Sequence, residues 1–496
     1  MLRAFLLAAA AVLLMGADRA PAVDYRLRVT PAGLDVELRL RGDADGETRL
    51  VAPTELASGL AVSGGQAQAI DAAHYVVRHK PGAKLAIRYR YAGQGAGVAA
   101  LGEALFATPE GWDAVPASVR WQRPPKGWRM ASDLDHAAHG RALTVADIRR
   151  SVVLAGPAVQ VAERGTLRAA TLGAGAPTAT QLADAAAPAL AAERAYWSEA
   201  NGPFLVTALR GDRYVGRDDA MAVPARQAPD ADLRRAIVVA QVLDQFPGRM
   251  GPAARPSDWL TQGFAAFLTD RILLRAGLAT TDESVAQAGL HERGADPASR
   301  GYLLALKWDE AVRLKTRGKA DLDDVLARTR DHYRRFPAGL GPDMITGLVS
   351  AAWVTAGLDL RPDIARFAET RVAIGLPEEM FDGCLQARIT VTPAFDAGFN
   401  TEASFAARQV RGVVRRGPAW NSGVRDGMAL ETWTYKAGDM TRMIELAVRP
   451  AGRRAKPRRI AYWPYGDATV ETRRLQLTPG MTEAQKVACG RKISGL

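Results

Sequence analysis

Two cysteines and six histidines are all that a chain of 496 residues contains. The cysteines allow at most one disulfide, between Cys384 and Cys489. The histidines are His74, His79, His136, His139, His291 and His332, and no two of them stand four residues apart. No helix of this chain can therefore present two imidazoles at i and i+4, as an HExxH zinc site requires. A G-x-S-x-G elbow, the local signature of one large group of serine hydrolases, is also missing. Beyond the N-terminus no apolar run approaches the roughly 20 residues that cross a bilayer as a helix. No cysteine lies near the N-terminal segment to accept a lipid anchor.

That N-terminal segment is distinctive. Arg3 gives a positive start, Phe5 to Met15 is an apolar run, and small residues follow with Ala17 and Ala22 as cleavage positions. Residues 1–22 are thus read as a signal peptide, which predicts a periplasmic or secreted protein without a transmembrane segment. In an oxidising compartment Cys384 and Cys489 are a disulfide candidate, with two buried thiols as the alternative. Lys and Arg number 65 against 53 Asp and Glu, a net charge of +12. The excess is scattered except for Arg449, Arg453, Arg454, Lys456, Arg458 and Arg459. Such a cluster suits an anionic surface or a solvated hairpin tip, and Gly452 and Pro457 favour the tip. Export argues against nucleic acid as a partner.

Length and patterning predict a multidomain α+β protein. From Tyr25 to Tyr91 the alternation has period two, as in Leu34–Leu40 and Leu85–Tyr91, which reads as an antiparallel β-domain over 23–125. Residues 104–130, rich in Trp and Pro, read as an irregular crossover. Asp133, Asp135, His136 and His139 offer only weak metal-ligand spacing and read as a polar loop. Strands are expected near 152–154, 167–172 and 203–209, with a long helix over about 178–199. Residues 231–246 read as a helix with a broad apolar face, ended by Pro247-Gly248. A second helix is expected from Trp259 to Arg275.

The run Trp259-Leu-Thr-Gln-Gly-Phe264 continuing to Leu278 resembles the W-x-x-E-G-F…L-L-x-R-A-G-L signature of the glycyl aminopeptidase family. These are bacterial gluzincin metallopeptidases, distantly related to the leucyl and alanyl aminopeptidases, that join a thermolysin-like domain to a PDZ domain. Gly301–Arg313 and Asp321–Leu326 resemble two further segments of that family. Gly417-Pro-Ala-Trp-Asn-Ser-Gly-Val-Arg-Asp-Gly427 resembles its PDZ element. The resemblance implies a peptidase-like domain over 126–387, a PDZ-like domain over 388–480 and a tail over 481–496. It also implies that 216–223 forms the sheet edge lining a substrate cleft, and that Ala397-Gly398-Phe399 is the loop whose N–H groups take a peptide carboxylate.

The resemblance fails where the family holds zinc. Gln262 stands at the glutamate ligand, nineteen residues after Leu243. The histidine positions fall on Val239 and Leu243 and the general base on Ala240; a shift of one residue gives Ala240, Gln241 and Asp244. Neither register supplies a zinc site, so no cofactor is expected although zinc is expected in active relatives. The vestigial positions are expected to pack as core. The oxyanion-stabilising tyrosine that the family carries before Gly301 is also missing, and Tyr302 lies beyond that glycine. The reading is an exported pseudopeptidase that binds a peptide or protein partner. An active metalloaminopeptidase and an envelope-binding structural protein are the alternatives.

Overall fold

The computed structural model describes residues 22–53, 56, 59–93, 97–135, 142–173, 177–200, 202–210, 215–216, 219–226, 230–251, 258–294, 296–336, 341–368, 370, 372–450 and 456–496. The chain divides into two compact units, residues 1–375 with 482–496, and residues 376–481.

The first unit begins with β1 (Val23–Thr30), β2 (Gly33–Arg41), β3 (Lys84–Ala92) and β4 (Pro116–Trp121). They lie in a six-stranded sheet ordered Leu143–Thr144, β4, β1, β2, β3, Ala61–Ser63. Tyr25, Leu27, Leu34, Leu38, Ile87 and Tyr89 alternate inward, and the Tyr25 hydroxyl donates to the Ala107 carbonyl at 2.8 Å. The domain is not purely antiparallel, because β1 pairs with β4 in parallel. Residues 116–121 and 129–132, expected as irregular crossover, are strands. Alternation reports which face a residue takes, not which partner its strand finds.

A five-stranded sheet follows, ordered β5 (Val159–Arg164), β6 (Leu167–Leu172), β7 (Phe204–Leu209), β9 (Ala220–Pro224), β8 (Val215–Gly216). The parallel pair β6 and β7 needs a crossover, and α1 (Ala179–Trp197) supplies it. Thr178 caps α1 in a reciprocal box with Gln181, and Ala183, Ala186 and Ala189 bury its inner face. Among the described residues six longer helices then follow before the second unit: α2 (Asp230–Met250), α3 (Asp258–Arg275), α4 (Thr281–Arg293), α5 (Pro297–Thr316), α6 (Leu322–Arg334) and α7 (Met344–Ala356). Contrary to the sequence reading, α2 runs through Pro247 to Met250. A proline in the last turn removes one backbone bond, and the Gly251 N–H still reaches the Pro247 carbonyl at 3.0 Å.

Two glycines set the distance between α3 and α5. A Cβ on Gly301 would lie 1.6 Å from the Trp259 carbonyl, and one on Gly263 would lie 2.4 Å from the Gly301 Cα. The backbones touch there, and Trp259, Phe264 and Trp308 pack edge-on around the crossing with centroids 6.1–6.5 Å apart.

Beside that crossing lies a buried ionic cluster. Arg271, 2% exposed, meets Asp309 at 2.9 Å, Asp323 at 3.0 Å, and Asp321. Arg313 spans Asp309 and Asp321 at 3.2 and 2.8 Å, and Arg275 pairs with Asp323. Three carboxylates face three guanidiniums. The free oxygens cap α6: Asp309 accepts from the Leu322 N–H and Asp321 from the Asp323 N–H, both at 2.8 Å. The last helix, α8 (Glu483–Ser494), docks on the same cluster through the Ile493 and Ser494 carbonyls, which accept from Arg271 and Arg275.

The second unit contains two three-stranded sheets and two short helices. One sheet is Glu379–Met380, β10 (Leu385–Phe395) and β14 (Tyr465–Leu477); the other is β11 (Ala429–Thr434), β12 (Ile444–Arg449) and β13 (Arg458–Tyr462). Its core gathers Val410, Ala419, Val424, Leu430, Leu446 and Val448.

Replacing Arg271 by Ala removes the cation shared by three carboxylates and leaves them only Arg275 and Arg313. The expected loss is about 3–5 kcal/mol, the usual cost of removing one partner of a buried ion pair. Urea unfolding would measure it, and limited proteolysis should show α8 cleaved far earlier than in the parent protein. An unchanged midpoint with α8 still protected would disprove the assigned role.

Candidate functional site

The positions singled out by the sequence lie on α2 and on α3, two helices that pack through Phe246 and Phe264. Strand β8 is the outermost strand, bonded only to β9 within the described sheet. It lies against α2 so closely that a Cβ on Gly216 would meet the Ala240 carbonyl at 2.3 Å. Only glycine allows that approach, and it brings the edge strand onto the turn carrying residues 239–243.

Along α2, Arg235, Val239 and Leu243 follow at intervals of four and share a face. Val239 is half-buried and Ala240 is 3% exposed. Leu243 is 36% exposed, and Gln262 on α3 is exposed too. The expectation that these positions now form core is therefore corrected: Ala240 is interior, whereas Leu243 and Gln262 open to solvent. Packing of the pair is carried by neighbouring positions instead, such as Phe246 on Phe264.

These residues do not fit a zinc ion. Val239, Ala240 and Leu243 carry no donor atom, and the Gln262 amide is a neutral, weak ligand. The shifted register fares no better. Gln241 is fully buried and its amide donates to the Ala220 carbonyl, while Asp244 is bound by Arg150 at 2.7 Å. Among the described residues no three His, Cys, Asp or Glu side chains are gathered in a metal-binding group. His136 and His139 lie outside the described residues; Asp133 accepts from the Val152 N–H, and Asp135 pairs with Arg168.

Tyr302 faces inward. It is 3% exposed, and its hydroxyl donates to Asp270 Oδ2 at 2.8 Å. Asp270, itself paired with Arg235, is pushed up to about 6 by burial, against the pull of that guanidinium. His291 stacks on the Tyr302 ring at 4.1 Å, and burial together with the Arg235 charge lowers it to about 4. Its Nδ1 lies 3.2 Å from the Ser299 hydroxyl, a serine–histidine contact that could suggest a nucleophile. The hydroxyl proton is already given to Asp296 at 2.7 Å, and the Ser299 N–H caps α5 on the same carboxylate. Nδ1 is then the donor in that contact. It cannot serve as a base, so the trio is a helix cap.

A second buried charge group sits where α1 meets the end of α2. The Arg249 guanidinium lies 4.4 Å over the Trp197 ring, 2.7 Å from Glu199 and 3.6 Å from Glu193. Glu193 is 1% exposed, and burial raises it to about 7 despite Arg249, which Glu199 engages more closely. Neither this group nor the Arg235–Asp270 pair was read from the sequence. A single ionisable residue on an apolar helix face is the only signal they leave.

In the second unit Ala397 and Phe399 are buried. The Gly398 N–H donates to the Asp396 carboxylate at 2.7 Å, and the Ala397 carbonyl accepts from the Tyr462 hydroxyl at 2.6 Å. Gly398 has φ +74°, and a Cβ there would lie 2.6 Å from the Ala419 nitrogen. A peptide carboxylate would thus have to displace Asp396 from the Gly398 N–H. Neither cysteine is free: Cys384 and Cys489 are both disulfide-bonded. In the basic segment Arg449 pairs with Glu431 and Arg458 donates to the Gly423 carbonyl; residues 451–455 lie outside the described residues.

No family model and no curated protein matches the sequence. Solved structures do match. An aminopeptidase N family protein from Idiomarina loihiensis shares 12% identity at a TM-score of 0.62, covering 94% of this chain and 99% of that one. The M1 zinc metallopeptidase from Deinococcus radiodurans shares 15% identity over 72% of this chain and 95% of its own, with a TM-score of 0.46. Yeast LTA4 hydrolase, solved with bestatin, shares 11% over 74% and 72% at 0.42. At such identity the likeness to the first is one of fold, and it extends over nearly the whole chain.

Glu193 gives a pH test. Its native carboxyl keeps a proton that the unfolded chain releases, so stability falls as pH rises from about 4.5 to about 7. The fall is on the order of 3 kcal/mol. Glu193→Gln should flatten the profile and exceed the parent above that window, as followed by denaturant unfolding across pH. Parallel profiles for the two proteins would show that the Glu193 carboxyl titrates alike in the folded and unfolded chain, against the assigned shift.

Proposed function

We infer that this protein is a non-catalytic binder built on an aminopeptidase N-like fold, an exported pseudopeptidase of the glycyl aminopeptidase type. The carrying observation is the lack of donors where the resemblance places zinc chemistry: Val239, Ala240 and Leu243 carry none, Gln262 offers only a neutral amide, and Leu243 and Gln262 are exposed. An exposed leucine flanked by a half-buried valine suits an apolar side chain. The amide of Gln262 can both donate and accept beside it. The ligand is therefore read as a peptide, or an exposed segment of a protein partner, with an aliphatic side chain at this face.

The second unit is read as a PDZ-like module on the resemblance of Gly417–Gly427, with Ala397–Phe399 as its carboxylate loop. Its two small sheets and short helices are compatible with that reading. Occupation of the Gly398 N–H by Asp396 makes the face of the first unit the stronger candidate for a peptide. Residues 1–22 support export to the periplasm or beyond.

The purified mature protein is expected to hold no stoichiometric zinc and to release no chromophore from Gly- or Ala-linked substrates. Metal analysis and a chelator-controlled assay would decide this, and stoichiometric zinc with chelator-sensitive turnover would overturn the reading. Fluorescent peptides with one aliphatic side chain should bind the parent protein and bind Leu243→Asp about tenfold more weakly, a difference of about 1.4 kcal/mol. Equal affinity for both proteins would move the binding site elsewhere.

A further inference from the structure

Helices α6 and α7 enclose a groove of about 500 Å³ at the surface of the first unit, away from the α2–α3 face in sequence and in lining residues. One wall is α6, which presents Asp324, Arg328, Asp331, His332 and Arg335, all exposed. The other is α7, which presents Gly347, Ser350, Ala351 and Val354. Helix α7 carries no charged residue from Met344 to Ala356. Even so, it leaves Trp353 61% and Val354 60% exposed, and Phe336 beyond α6 is 40% exposed. A charge-free helix with an exposed tryptophan is unusual on a free surface.

The charges of α6 identify the occupant. Asp324, Arg328, Asp331 and Arg335 follow at intervals of four, three and four, the spacing of one seam along a helix. Their signs alternate as minus, plus, minus, plus. Read backwards, the row becomes plus, minus, plus, minus. A row that inverts its sign on reversal is complementary to itself when two copies run antiparallel. An isologous twofold contact imposes that arrangement. With the axis between Thr329 and Arg330, Asp324 faces Arg335 of the second copy, and Arg328 faces its Asp331. Each pair occurs twice across the axis.

We propose that this protein forms a twofold homodimer through the α6–α7 groove, with the α6 helices antiparallel and Trp353 and Val354 covered at the rim. The small side chains of α7 let the opposing helix approach. Existing contacts do not consume the row. Within one chain Asp331 meets only Arg330 at 3.5 Å, Arg328 donates to the Thr355 hydroxyl at 3.2 Å, and Asp324 accepts from the Asp321 N–H at 2.9 Å. The proposal is independent of any ligand at the α2–α3 face.

Sedimentation of the full mature protein over a range of concentrations tests it. The expected result is a monomer–dimer equilibrium that shifts toward monomer as salt rises, since exposed pairs are screened. Arg328→Glu sets like charge against Asp331 of the second copy and should raise the dimer dissociation constant about tenfold or more. The double variant Arg328→Glu, Asp331→Arg restores complementarity and should recover the parent constant. Circular dichroism melting of each variant guards against local unfolding. A monomer at every concentration overturns the proposal. So does a dimer indifferent to Arg328→Glu, or a folded double variant that stays as weak as the single one.

Discussion

The first unit depends on one guanidinium. Arg271 is enclosed by helices, and its three nitrogens face Asp309, Asp321 and Asp323, which belong to α5 and to the start of α6. A buried ion pair contributes little net free energy against a well-packed apolar alternative. What it contributes here is geometry. Each carboxylate also caps a backbone or pairs with Arg275 or Arg313, so α3, α5, α6 and α8 can meet in one register only. The glycine contact between Gly263 and Gly301 fixes the separation of two of these helices, and the ionic cluster fixes their sliding and rotation.

That cluster explains why some of the chain was legible as sequence. The segments Trp259–Leu278, Gly301–Arg313 and Asp321–Leu326 carry the family resemblance, and all three contribute to the Arg271 cluster or the glycine crossing. Those motifs coincide with packing contacts of the first unit. The β-strands of the first domain were legible because an alternating run has one buried face. Their partners were not, and the parallel pairing of β1 with β4 joins residues nearly a hundred positions apart. The passage of α2 through Pro247 was missed because Pro-Gly usually ends a helix. Here the proline falls in the final turn, where the loss of one bond is cheap.

Counting residues singled out Val239, Ala240, Leu243 and Gln262 without an outward or inward sense. Aliphatic residues replacing polar ones suggest burial, and Ala240 obeys. Leu243 does not, because packing between α2 and α3 is already satisfied by Phe246, Phe264 and their neighbours. Leu243 is thus an apolar side chain left open to solvent at the end of the α2 face that carries Arg235 and Val239. The ionisable groups nearby, Arg235 with Asp270 and His291 with Ser299, are turned inward and committed to each other.

The docking of α8 also constrains the order of events as the chain is made. Residues 376–481 form a compact unit inserted between the body of the first unit and its closing helix. The carbonyls that complete the Arg271 cluster therefore emerge only after the whole inserted unit. A nascent chain holds an unfinished cluster throughout that interval, with Arg271 and Arg275 awaiting the Ile493 and Ser494 carbonyls that accept their last hydrogen bonds. The first unit closes as a finished body only when the residues beyond an entire second unit have been made, which ties its completion to the end of synthesis.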